Sequence, residues 1–170
     1  MPISIDTLRS ASARGTLAKS ASNLTEARSL GLKTAFLCHS HQDATAVQGL
    51  LALFQDEGWR VYVDWQDGAM PEKPTRETAE RIQRKIREMD YFLFLATENS
   101  VASRWCPWEI GYADSQKPVD RLLVIPTEDR SGTWYGNEYL QLYRHVDVAQ
   151  SGALGVWNPG EDKGIRLRTL

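Results

Sequence analysis

The sequence predicts an α/β domain built on a doubly wound sheet of about five parallel strands, with helices on both faces. Three observations carry the prediction. Short apolar runs alternate with segments of helical periodicity, the pattern of strands joined by helical crossovers. The run Tyr91-Phe92-Leu93-Phe94-Leu95-Ala96 is apolar throughout, as suits a central strand covered on both faces. The segment from Thr75 to Met89 has apolar positions at Ala79, Ile82, Ile86 and Met89 and is almost wholly charged elsewhere, so one stripe faces a sheet and the rest faces water.

Taken in order, residues 1–32 form an N-terminal arm rich in Ser and Ala. Leu8, Leu17, Leu24 and Leu30 predict one or two amphipathic helices broken near Gly15. The arm either packs on the domain or serves self-assembly. Thr34 to Cys38 is the first strand, and His39-Ser40-His41-Gln42-Asp43 is a loop in which Asp43 can cap the next helix. Val47, Leu50, Leu51 and Phe54 give that helix its stripe, and Gly58 ends it. Arg60 to Val63 is the second strand, Asp64 to Pro74 a turn-rich loop, and Thr75 the cap of the charged helix. After the third strand at 91–96 comes a helix opened by Ser103, then a fourth strand at Leu122 to Ile125. Residues 127–142 read as loop with a short helix near Tyr139, and Tyr143 to Val148 as a weaker fifth strand at an edge. The domain proper spans 33–150. Residues 151–170, with Gly152, Gly155, Pro159, Gly160 and Gly164, read as an irregular tail. Right-handed crossovers favour the flavodoxin-like strand order 2-1-3-4-5.

Length and charge limit the functions available. A chain of 170 residues makes one domain with a real core, and 20 basic against 22 acidic residues supply no general field for nucleic acid. Neither a membrane-spanning run nor a signal peptide is expected. Cys38 and Cys106 lie in or beside regular elements and make no disulfide framework, which fits a reducing cytoplasm.

In a doubly wound sheet, ligands bind beyond the carboxyl ends of the strands where the strand order reverses. Here those ends are His39-Ser40-His41 and Thr97 to Ser103. The helix that starts there carries Trp105, Trp108, Glu109 and Tyr112 at i, i+3, i+4 and i+7, which predicts one face holding a carboxylate among aromatic rings. A core rejects the charge and a solvent face rejects the rings, whereas a ligand pocket accepts both. His39 and His41 stand at i, i+2 without a third ligand in view, so no metal site is expected. Cys106 has no partnered base and is not expected to act as a nucleophile.

These stretches together resemble the Toll/interleukin-1 receptor (TIR) domain, bacterial branch. Ala35 to Asp43 looks like that family's first motif, an apolar strand closed by Ser, His and Asp. Asp64 to Pro74 lies where the family has its mobile loop, although Met70-Pro71-Glu72-Lys73-Pro74 departs from the usual Pro-Gly pattern. Ser103 to Ile110 looks like its Ser-x-Trp-Cys-x-x-Glu-Leu box. The resemblance covers about residues 33–148.

The resemblance implies an enzyme that cleaves NAD⁺ at the nicotinamide–ribose bond and releases ADP-ribose or a cyclic isomer of it. Glu109 matches the family's catalytic glutamate. Phe36, His39, Ser40, Asp64, Trp105 and Trp108 are the expected substrate-binding residues. Physical chemistry permits this reading. Nicotinamide leaves neutral because its ring nitrogen starts positive, so no general acid is needed, and a single carboxylate can stabilise the oxocarbenium-like ribose. NAD⁺ is then substrate, and no cofactor is expected. The absence of a Gly-x-Gly-x-x-Gly motif means that NAD⁺ is not held in the Rossmann manner. Standalone chains of this size resemble the signal-producing proteins of anti-phage systems such as Thoeris, whose product activates a separate effector. Self-association through TIR–TIR contacts, with one subunit's loop completing the next one's pocket, is also implied. Two rival readings stand beside this one: a non-catalytic TIR scaffold or virulence protein, and an enzyme similar to nucleoside deoxyribosyltransferases.

Overall fold

The computed structural model describes residues 1–14, 24–68 and 75–170. The chain opens with β1 (Ile3–Ser4), α1 (Ile5–Arg14) and α2 (Leu24–Ser29). It continues through β2 (Lys33–Cys38), α3 (Ala44–Asp56), β3 (Trp59–Tyr62), α4 (Arg76–Glu88) and β4 (Tyr91–Ala96). The short α5 (Glu98–Val101) and α6 (Cys106–Gln116) lead to β5 (Leu122–Glu128), β6 (Trp134–Tyr135) and β7 (Arg144–Val148). β8 (Leu154–Trp157) and β9 (Gly164–Arg166) complete the sheet.

The strand order is β3-β2-β4-β5-β7-β8-β9, with β1 and β6 paired to the far end of β5. From β3 to β7 every pairing is parallel, which is the expected 2-1-3-4-5 arrangement. Alternation along the strands sorts the core into two layers. Ala35, Leu37, Leu93 and Leu95 meet Val47, Leu50 and Phe54 of α3 on one face. Phe36, Cys38, Phe92 and Phe94 meet Ile82 and Ile86 of α4 and Cys106 and Ile110 of α6 on the other. Each Val, Leu, Ile or Phe side chain so buried contributes about 1.5–3 kcal/mol. Thr75 opens α4 in a reciprocal capping box with Thr78, as its sequence position suggested.

Part of the arm belongs to the core. Ile3 and Leu8 are fully buried, and α1 lies so close on α3 that a Cβ added at Gly49 would stand 1.8 Å from the Leu8 carbonyl oxygen. Gly15 and Leu17, where the helix break was expected, lie outside the described residues, as do Met70-Pro71-Glu72-Lys73-Pro74.

Two expectations are corrected. The chain beyond residue 150 supplies two further strands, and β7 is not an edge. β8 pairs antiparallel with β7, and β9 with β8. The glycines that suggested a loop serve the Trp157 ring: Cβ atoms at Gly155 and Gly164 would stand 2.6 and 2.5 Å from it. Strand glycines here make room for an aromatic ring that lies across the pleat.

Candidate active site

Helix α6 is set by its first turn. Ser103 Oγ accepts from the backbone N–H of Trp105 and Cys106 at 3.1 and 3.3 Å, and Pro107 occupies a position where its missing N–H costs nothing. Inward-facing Cys106, Ile110 and Ala113 fill the buried stripe, and Glu109 sits at its margin, 7% exposed. Trp105 and Trp108 are each 37% exposed. They meet edge to face at 5.4 Å, and Trp108 stacks on Tyr112 at 6.1 Å. The single mixed face expected from sequence is therefore divided. The carboxylate turns into the sheet, and the rings form a ladder on the rim.

Burial raises Glu109 well above the ordinary carboxylate value, and the neighbouring Cys106 and Asp64 push it the same way. Among the described residues no cation pairs with it. Lys117 donates to the Met89 carbonyl. Cys38 and Cys106 are free and buried, and Cys106 Sγ lies 3.4 Å from the His39 carbonyl, tying α6 to the end of β2.

Beside Glu109 lie the loop after β2 and the turn after β3. His39 is 9% exposed; its Nδ1 donates to the Leu37 carbonyl at 3.0 Å, leaving Nε2 as the lone-pair nitrogen. Burial holds its imidazole below the usual value against the pull of Asp64, so the ring is neutral at neutral pH. Asp64 stands 3.5 Å from His39 Nε2 and 3.8 Å from His41 Nε2. Trp65 closes edge-on against His39 at 4.6 Å. Ser40 accepts from the Gln42 N–H and so shapes its own loop.

Asp43 holds the N-cap position of α3, as expected, but its side chain makes no capping bond. Its carboxylate accepts from Thr97 Oγ1 at 2.6 Å and Asn99 Nδ2 at 2.7 Å, joining the loops that follow β2 and β4 across the point where the strand order reverses. These charge-assisted bonds set the spacing of the two walls.

Of the predicted site residues, the structure gathers His39, Ser40, Asp64 and Glu109 at this end of the sheet and sets Trp105 and Trp108 at the rim. Phe36 is corrected. It is 1% exposed, stacked between Tyr62 at 5.7 Å and Phe92 at 5.8 Å, and belongs to the core. Even numbering along β2 puts it on the α4–α6 layer, short of the strand's end. Trp65 and the Asp43–Thr97–Asn99 link escaped the sequence reading, since an aromatic next to an acid in a turn and three dispersed polar residues carry no spacing signal. The expectation of no third metal ligand is also corrected, because Asp64 joins His39 and His41, with donor atoms all within 4.8 Å of one another. A cleft of about 460 Å³ near Trp134, Leu140 and Tyr143 contains Asp147, whose Oδ2 stands 3.4 Å from the N-terminal amine and 3.6 Å from His145 Nε2 while its Oδ1 is buried without a hydrogen-bond partner.

A family profile described as "TIR domain" matches residues 35–153. The chain is 34% identical over 113 residues to the Bacillus cereus (strain MSX-D12) protein named "Probable 3' cyclic ADP-D-ribose synthase ThsB'", covering 65% of this chain and 58% of that protein. It is 25% identical over 81 residues to the Cytobacillus dafuensis protein named "Putative cyclic ADP-D-ribose synthase TIR2", covering 46% of this chain and 21% of that protein. The chain thus matches little over half of one relative and about a fifth of the other. The profile spans most of β2, the turn at Asp64 and the α6 segment with Glu109, and the chain belongs to the TIR domain family.

Proposed function

We propose that this protein cleaves the nicotinamide–ribose bond of NAD⁺ and releases nicotinamide with a cyclic ADP-ribose isomer or ADP-ribose. The observation that carries the reading is Glu109, a buried carboxylate with no cation partner among the described residues, at the carboxyl end of the sheet. Such a group is costly in a resting fold and suits a ligand that brings positive charge. NAD⁺ brings that charge on its nicotinamide ring and develops it further on the ribose. The C–N bond breaks with its electron pair going to the nicotinamide nitrogen, and ionised Glu109 stabilises the cationic ribose. Water attacking the ribose yields ADP-ribose, and a nucleophile within the same molecule yields a cyclic isomer. In either case the attacking group's proton passes to solvent. The names of the two relatives support the cyclic product.

His39, Ser40 and Asp64 form the wall facing Glu109, and Trp105 and Trp108 offer stacking surfaces at the rim. The product acts as a signal in anti-phage defence within the cytoplasm, read by a separate effector. TIR–TIR self-association completes the pocket, so specific activity rises with protein concentration. A flat dilution series from a monomer rejects that last element. Among the described residues no helix is long and apolar enough to cross a membrane.

The test is NAD⁺ consumption at high protein concentration, wild type beside Glu109→Gln, with products separated by chromatography and mass. Loss of NAD⁺ in the wild type only supports the reading. No loss, even with the protein forced to assemble, favours a scaffold.

A further inference from the structure

We propose that His39, His41 and Asp64 form a binding site for one divalent transition-metal ion of the zinc class at the carboxyl end of the sheet. Two imidazole nitrogens and one carboxylate oxygen are a zinc donor set, and three protein ligands leave a fourth position for water. Ligands about 2.0–2.2 Å from a tetrahedral ion stand roughly 3.3–3.5 Å apart. The observed separations from Asp64 are 3.5 Å to His39 Nε2 and 3.8 Å to His41 Nε2, and the three donor atoms all fit within 4.8 Å.

The second observation is independent of this proximity. His39 Nε2 is buried and has no hydrogen-bond partner, and its side chain is 3% exposed. A polar atom in that position needs a partner, and Asp64 Oδ1 at 3.5 Å is beyond ordinary hydrogen-bond reach. The other ring nitrogen already donates to the Leu37 carbonyl. That bond fixes the tautomer, aims the Nε2 lone pair at Asp64, and is the backing that metal-bound histidines use. Trp65 seats the ring from the side. His41, 74% exposed at its side chain, can adjust its rotamer to close on an ion arriving from solvent.

The proposal goes beyond the NAD⁺ reading and is tested without NAD⁺. Protein stripped with a chelator and dialysed is titrated with Co²⁺ as a spectroscopic probe, and Zn²⁺ then displaces it. The expected result is about one ion per chain, with the intense visible absorption of a four-coordinate site and no thiolate charge-transfer band. His41→Ala and Asp64→Asn should each weaken Zn²⁺ binding by at least roughly 10–100-fold, while His145→Ala leaves it unchanged. His41 is exposed enough that its variant keeps the fold, which a thermal melt verifies. No stoichiometric binding, binding retained in both variants, or a cobalt–thiolate band assigning the ion to Cys38 or Cys106 would each overturn the proposal.

Discussion

Replacing Glu109 with glutamine separates catalysis from packing because the structure makes opposite demands on the two. The carboxyl group is buried at the margin of the α6 stripe and has no cation partner among the described residues. Glutamine keeps its shape and cannot ionise. Loss of one preorganised group that stabilises developing charge costs about 3–4 kcal/mol, or roughly 10²–10³ in rate. Stability should move the other way. Burial raises the folded-state pKa of Glu109 above its unfolded value near 4.5, so the folded state holds the proton more tightly. That contribution is fully present below the unfolded value and is lost as pH rises through the folded one, at up to about 1.4 kcal/mol per pH unit. Glu109→Gln should therefore match the wild type near pH 4.5 and be the more stable protein at pH 8. The assay pairs NAD⁺ turnover with urea denaturation at both pH values. Undiminished turnover refutes the catalytic role. A variant less stable than wild type at the higher pH refutes the burial argument.

Other consequences follow from the same geometry. The kcat/KM for NAD⁺ should rise with pH above the ordinary carboxylate range as Glu109 ionises; a flat profile from about pH 5 to about pH 8 contradicts this. Asp43→Ala leaves Thr97 and Asn99 without their acceptor, so it should cost roughly 1.5–3 kcal/mol in denaturation and lower kcat/KM by loosening the two walls. An unchanged kcat/KM would show that the link does not position the site. Gly49→Ala drives a methyl group into the Leu8 carbonyl and should destabilise by at least about 1–3 kcal/mol, read as a lower Tm. An unchanged Tm would mean that α1 is free to lift from α3.

The strand order and both core layers were legible in the chain because they rest on local periodicity. Tyr91 to Ala96 is apolar throughout and becomes the central β4, and the charged α4 keeps the one stripe its spacing predicts. Ser103 and Thr75 act where their positions placed them, since a cap satisfies N–H groups within three residues of itself. The sheet end at which the proposed site lies follows from the same order, because the reversal of strand order follows from crossover handedness. Tertiary structure decided what depends on distant neighbours. Glu109 and Trp108 are adjacent in sequence, yet α6 packs on Cys38 and Phe94, so one turns inward and the other stays on the rim. Asp43 reads as a cap, but Thr97 and Asn99, more than fifty residues on, take its carboxylate. Asp64 becomes a neighbour of His39 and His41 only because β3 pairs beside β2, and the glycines near the end of the chain become strand only because the Trp157 ring lies over them. Local pattern sets which residues form an element and which stripe is apolar, whereas long-range packing sets which polar groups meet.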